Sequence, residues 1–148
     1  MSLEQKINEG IKTAMLAKDK VRLESLRAVK AAILLAKTSE NADKFDEAAE
    51  VKMLQKLVKQ RRETAEIYTN NNRQELADKE LAEALIIEEF LPKQLDESEI
   101  EAAVKAVIAE TGASSIKDMG KVMGIVSKQL AGKAEGKIIS DTVKKLLQ

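Results

Sequence analysis

Apolar residues recur every three or four positions along almost the whole chain and nowhere alternate with polar ones. That period fits one face of an α-helix and leaves no candidate strand. The aromatic residues are only Phe45, Tyr68 and Phe90, so the core is built from Leu, Ile, Val, Met and Ala. Such a diet disfavours sheet, which enriches for aromatic and β-branched residues. The expected class is all-α.

Local signals place the helices. Ser2 with Gln5 has the spacing of a capping box, and Leu3, Ile7, Ile11, Ala14 and Met15 come after it at helical spacing, so a first helix is expected to about Lys18. Asp19 caps a second, with Leu23, Leu26, Lys30 and Ile33 on one face, and the short link between the two predicts an αα-hairpin. Thr38–Asn41 ends the second helix, and residues 39–45 read as a loop. A third helix is expected from Asp46 to about Thr69, with Val51, Leu54, Val58, Ala65 and Tyr68 along its stripe. Asn70, Asn71 and Asn72 break it. The fourth, about Arg73 to Phe90, carries Leu76, Leu81, Leu85, Ile86 and Phe90.

Pro92 is the sole proline. It removes a backbone donor and disfavours helical geometry at Leu91, so a boundary is expected at residues 91–95. The reading is an N-terminal four-helix domain, 1–91, and a small C-terminal three-helix domain, 95–148. Asp96 with Glu99 starts the fifth helix, on which Ile100, Ala103, Val104, Val107 and Ile108 share a face. Gly112 sits where a left-handed C-cap belongs. Ser115 with Asp118 caps the sixth, which ends before Gly132. A loop, Gly132 to Lys137, leads to a seventh helix over about Ile138–Leu147.

The totals exclude several chemistries. There is no Cys and no His, hence no disulfide or thiolate nucleophile, and neither the commonest general base nor the commonest zinc ligand. No catalytic, cofactor or metal site is expected. No apolar run is long enough to span a membrane, and no apolar leader comes after Met1-Ser2-Leu3-Glu4. The expected compartment is the cytosol. A Ser-Lys pair, Ser114-Ser115 beside Lys117, is explained more simply by capping. No dinucleotide or P-loop pattern is present.

Formal net charge is zero, but the charge is not evenly spread. From Pro92 to Thr111, Lys93 and Lys105 face five acids, and from Gly112 to Gln148 seven lysines face three acids. On the sixth helix Ile116, Met119, Val122, Met123, Val126 and Leu130 fall on one side. Lys117, Lys121 and Lys128 fall on the other, with Gly120 and Gly124 beside them. Each interior helix glycine costs about 1 kcal/mol relative to Ala. Close approach of another helix, or of a sugar-phosphate backbone, accounts for such a pair. Lys133 and Lys137 extend the candidate phosphate-binding set. A row of lysines opposite an apolar face is also what an ordinary solvated surface looks like. A second basic stretch, Lys52, Lys56, Lys59, Arg61 and Arg62, has acids at i+4 in Glu63 and Glu66 that can neutralise it.

The run from Gly112 to Gly124, GASSIKDMGKVMG, resembles the signature of the YqeY family. Leu91-Pro92-Lys93-Gln94-Leu95 resembles that family's domain junction, and Leu26–Ile33 and Lys59–Arg62 its N-terminal segments. Ser127, Glu135 and Ser140 stand where the family usually has Pro, Asp and Asn. The family is similar to the tail domain of the B subunit of the tRNA-dependent amidotransferase. The resemblance implies two helical domains and tRNA as partner, with an amidotransferase or aminoacyl-tRNA synthetase complex as a further candidate partner. It does not imply catalysis, since the amidotransferase's active cradle lies outside the tail. The expected function is a non-catalytic tRNA-binding module. The rivals are a protein-interaction adaptor and a carbon–nitrogen ligase with glutamine as amide donor.

Overall fold

A computed structural model describes all residues, Met1–Gln148. The chain is all-α, with seven helices and no strand: α1 (Leu3–Ala17), α2 (Lys20–Lys37), α3 (Glu47–Asn70), α4 (Gln74–Glu88), α5 (Glu97–Thr111), α6 (Met119–Gln129) and α7 (Gly136–Leu147). Two short 3-10 turns, Ala42–Lys44 and Ile116–Asp118, precede α3 and α6. No helix is long and apolar enough to cross a membrane. The chain divides into two compact units, Met1–Leu91 and Pro92–Gln148.

The helix starts are set by side chains that satisfy otherwise orphaned backbone donors. At α1, the Gln5 N–H donates to Ser2 Oγ at 3.1 Å and the Ser2 N–H to Gln5 Oε1 at 2.9 Å. Asp19, Asp46 and Asp96 each accept from the N–H three residues on, at 3.1, 2.9 and 2.8 Å. α5 ends at Gly112, whose φ of 68° is left-handed; glycine adopts it without a Cβ clash.

In the first unit α1 pairs with α2, and α4 packs on α3 and α2. Ile7, Leu26, Val29, Ile33, Leu54, Val58, Ala84 and Ile87 form the core. The α1–α2 crossing is tight. A Cβ on Gly10 would lie 2.8 Å from Leu26 Cδ1, a side chain with no exposure. Two stripes differ from those expected. On α2, Val29 takes the core position and Lys30 is only half-buried. On α4, Leu81 and Leu85 are 41% and 64% exposed, while Ala77, Ala84 and Ile87 are buried. Counting large apolar residues favours the leucines, but a close helix approach selects the alanines.

Long charged side chains choose partners across elements as well as along their own helix. Arg62 pairs with Glu88 on α4 at 2.5 Å, and Lys59 stays with Glu63 at 3.9 Å. Arg61 Nε lies 3.3 Å from Oε2 of Glu83, whose side chain is 11% exposed. The contact is an ion pair rather than a well-aligned hydrogen bond, for Arg61 Nε has no hydrogen-bond partner.

Burial raises the Glu83 carboxyl above its ordinary value; Glu80 and Glu24 push the same way, and Arg61 and Lys79 oppose. Burial also raises Glu50. A raised carboxyl binds its proton more tightly folded than unfolded, so its stabilising effect grows as pH falls and is lost as pH rises through the raised value. The native chain is therefore expected to gain thermal midpoint relative to Glu83→Gln as pH falls through the raised value of Glu83. Melts of both proteins monitored by far-UV circular dichroism across pH check it, and a difference that does not change with pH contradicts the assignment.

Candidate nucleic-acid interface

The second unit is a three-helix cluster around Ile100, Val104, Val107, Val122, Val126, Ile139, Val143 and Leu147. Its chain entry is pinned. The Leu95 N–H donates to the Lys133 carbonyl at 2.9 Å, and Gln94 Nε2 to the Gly132 carbonyl at 2.8 Å.

α6 starts later than its residue period suggests. Ser115 and Asp118 form the expected capping box. The Asp118 carboxylate accepts from the Ser114 and Ser115 N–H groups at 3.0 and 3.4 Å. Immediately after Ser115 the backbone winds into a 3-10 turn, and the α-helix begins only at Met119. Ile116, assigned to the apolar side, is consequently 46% exposed, because a 3-10 turn winds three residues per turn rather than 3.6. Val122 and Val126 are fully buried, and Met119 and Met123 half-buried.

The opposite face is open. On α6, Gly120, Lys121, Gly124, Ser127 and Lys128 are all exposed, at the spacing of one helical side, and Lys117 is exposed in the 3-10 turn before it. Lys133 is exposed in the turn after α6. Lys137, expected in a loop, is exposed in the first turn of α7, which begins two residues earlier than its apolar period indicates. None of the five lysines forms an ion pair within the unit. A Cβ built on Gly120 or Gly124 meets no atom within 4 Å. Neither glycine is used for packing in this chain, so the helix-packing explanation within the fold does not apply to them. Sequence reasoning misses Ser127 as a member of this side; its i+3 spacing from Gly124 is the available signal.

The basic stretch on α3 divides differently. Lys52 and Lys56 are exposed, whereas Lys59, Arg61 and Arg62 are engaged by Glu63, Glu83 and Glu88. No group of three or more acidic, His or Cys side chains is placed to hold a metal ion.

Known proteins share much of this sequence. The chain is 30% identical over 106 residues to the altered inheritance of mitochondria protein 41 of Lachancea thermotolerans, covering 70% of this chain and 57% of that protein. It is 41% identical over 85 residues to its counterpart in Meyerozyma guilliermondii, covering 57% and 44%. The counterpart in Pyrenophora tritici-repentis is 29% identical over 147 residues, covering 97% and 77%. The chain thus spans about half the length of the first and second of these relatives. All three are designated mitochondrial, which overturns the cytosolic expectation. That expectation rests on the lack of an apolar leader. Mitochondrial targeting segments are amphipathic and Arg-rich, with no apolar core, so the lack of one does not discriminate. A family model described as Yqey-like protein matches residues 4–147, nearly the whole length, and the chain belongs to that family.

Proposed function

We propose that this protein is a non-catalytic module that binds tRNA through the exposed side of α6. Lys121 and Lys128 contact phosphates there, Lys117 in the preceding 3-10 turn and Lys133 and Lys137 after the helix extend the contact, and Gly120 and Gly124 let the sugar-phosphate backbone come close. One observation carries the reading. Five ammonium groups in one segment are solvent-exposed and unpaired within their unit, beside two glycines at which an added Cβ meets no atom within 4 Å. Unpaired lysines release counterions when they meet phosphate, and a helix backbone without Cβ atoms lets them do so at short range. Resemblance to the amidotransferase tail supplies tRNA as the polyanion. The reading assigns no chemical step to the chain.

Salt dependence tests it directly. With five phosphate contacts the log of the tRNA association constant should fall against log salt with a slope of about −4. Filter binding of the full chain to unfractionated tRNA reads that slope. Each Lys→Ala change in the set should reduce its magnitude by about 1. A slope near zero, or no saturable binding at low salt, defeats the proposal.

A further inference from the structure

α6 packs against both α5 and α7, so the inner side of the α5–α7 seam is filled and its open side faces away from α6. A groove of about 360 Å³ runs there. Leu95, Ile100 and Ile138 supply its apolar floor. Ile138 is 41% exposed, a large apolar side chain left against water. Glu97, in the first turn of α5, and Asp141, on α7, line opposite walls. Neither carboxylate forms an ion pair within the unit. At one end Lys145 Nζ lies 3.1 Å from Glu101 Oε1, so the groove's one cation is already neutralised. The hydrogen bond to Glu101, the charge of Glu101 and then that of Glu97 raise the Lys145 ammonium pKa, as a negative setting requires. The Thr142 hydroxyl donates to the Ile138 carbonyl at 2.8 Å and is not free for a ligand.

This chemistry is selective. Carboxylates on both walls repel RNA and anionic lipid. A wholly apolar segment would strip water from Glu97 and Asp141 without replacing its hydrogen bonds. The lysine side of α6 from a second copy has the right charge, but its Lys, Gly and Ser residues have nothing to fill the apolar floor.

We propose that the α5–α7 groove docks a cationic amphipathic segment of a partner protein. A Leu, Ile or Met of that segment packs on Leu95 and Ile138, and flanking Lys or Arg residues meet Glu97 and Asp141. Charge complementarity chooses this occupant. The proposal does not rest on the RNA reading. None of the residues lining the groove belongs to the lysine set, although Lys137 immediately precedes Ile138 on α7.

The probe is a fluorescein-labelled helical peptide of Leu and Lys, about 14 residues or four turns long, with Leu on one face. A Leu/Glu peptide of the same pattern is the control. Anisotropy titrations use the full chain at about 0.15 M salt. The Leu/Lys peptide is expected to bind saturably and the Leu/Glu peptide not at all. Glu97→Gln with Asp141→Asn should weaken binding about tenfold, and Ile138→Ala by a similar factor. Lys117→Ala, Lys121→Ala and Lys128→Ala together should leave it unchanged. Far-UV circular dichroism confirms that each variant is folded. Absence of saturable binding, equal binding of both peptides, or binding indifferent to the groove substitutions overturns the proposal. So does sedimentation as a dimer that Ile138→Asp dissociates, which would give the groove to a second copy.

Discussion

Replacing Lys117, Lys121 and Lys128 together by Glu is expected to lower tRNA affinity at least ~100-fold, since three phosphate contacts are lost and each reversal adds repulsion. The fold should barely notice. All three side chains are exposed, and none supports an ion pair within its unit. Lys128 lies in the last turn of α6, where a cation favours the helix dipole, so the folded state should lose no more than about 1 kcal/mol. The same positions changed to Ala should give an intermediate affinity, which separates lost attraction from added repulsion. Gel shift and thermal melts on the same preparations decide the matter. Undiminished binding by the triple Glu variant removes this surface from consideration, and a collapsed melting transition would mean that the lysines are structural.

The second large effect runs in opposite directions for stability and binding. Gly120→Ala with Gly124→Ala is expected to stabilise the second unit by about 1–2 kcal/mol. Both added Cβ atoms meet open space, so nothing offsets the gain in helix propensity. Gly124 contributes most, because Gly120 is only the second residue of α6 and lies in its less constrained first turn. In a domain of this size each kcal/mol moves the midpoint by roughly 4–8 °C. If the glycines admit a sugar-phosphate backbone, the same variant should bind tRNA about tenfold more weakly, since a close contact is worth about 1.4 kcal/mol per factor of ten. A more stable protein that binds as before would leave the glycines without a role in recognition. By contrast, Gly10→Ala meets Leu26 at 2.8 Å inside the core, where the gain in propensity is opposed by overpacking.

Local pattern reveals some of these features and hides others. Ser2, Asp19, Asp46 and Asp96 act within three residues of themselves, so spacing alone locates the helix starts. The left-handed turn at Gly112 is equally local. The side of α4 that faces the core depends on how closely α3 approaches, and the largest side chains are poor guides to that. The partners of Arg61 and Arg62 lie on another helix, where an i+4 rule cannot reach. The late start of α6 depends on the Asp118 carboxylate holding the Ser114 and Ser115 N–H groups, which tightens the first turn before the α-helix begins. Lys121 and Lys128 are visible on one side of α6, because residue period gives direction around an axis, whereas the direction of Lys117 in the 3-10 turn is not given by that period. Whether such a side is covered is a tertiary fact. The α5–α7 groove is out of reach for the same reason, being formed by residues more than forty positions apart, such as Glu97 and Ile138.

The stretch from Gly112 to Gln148 carries a net positive charge although the whole chain is neutral, and five of its lysines have no ion pair within the unit. If the proposed RNA contact holds, that local field would favour encounters with a polyanion before contact, and added electrolyte would slow capture as well as shorten the life of the complex.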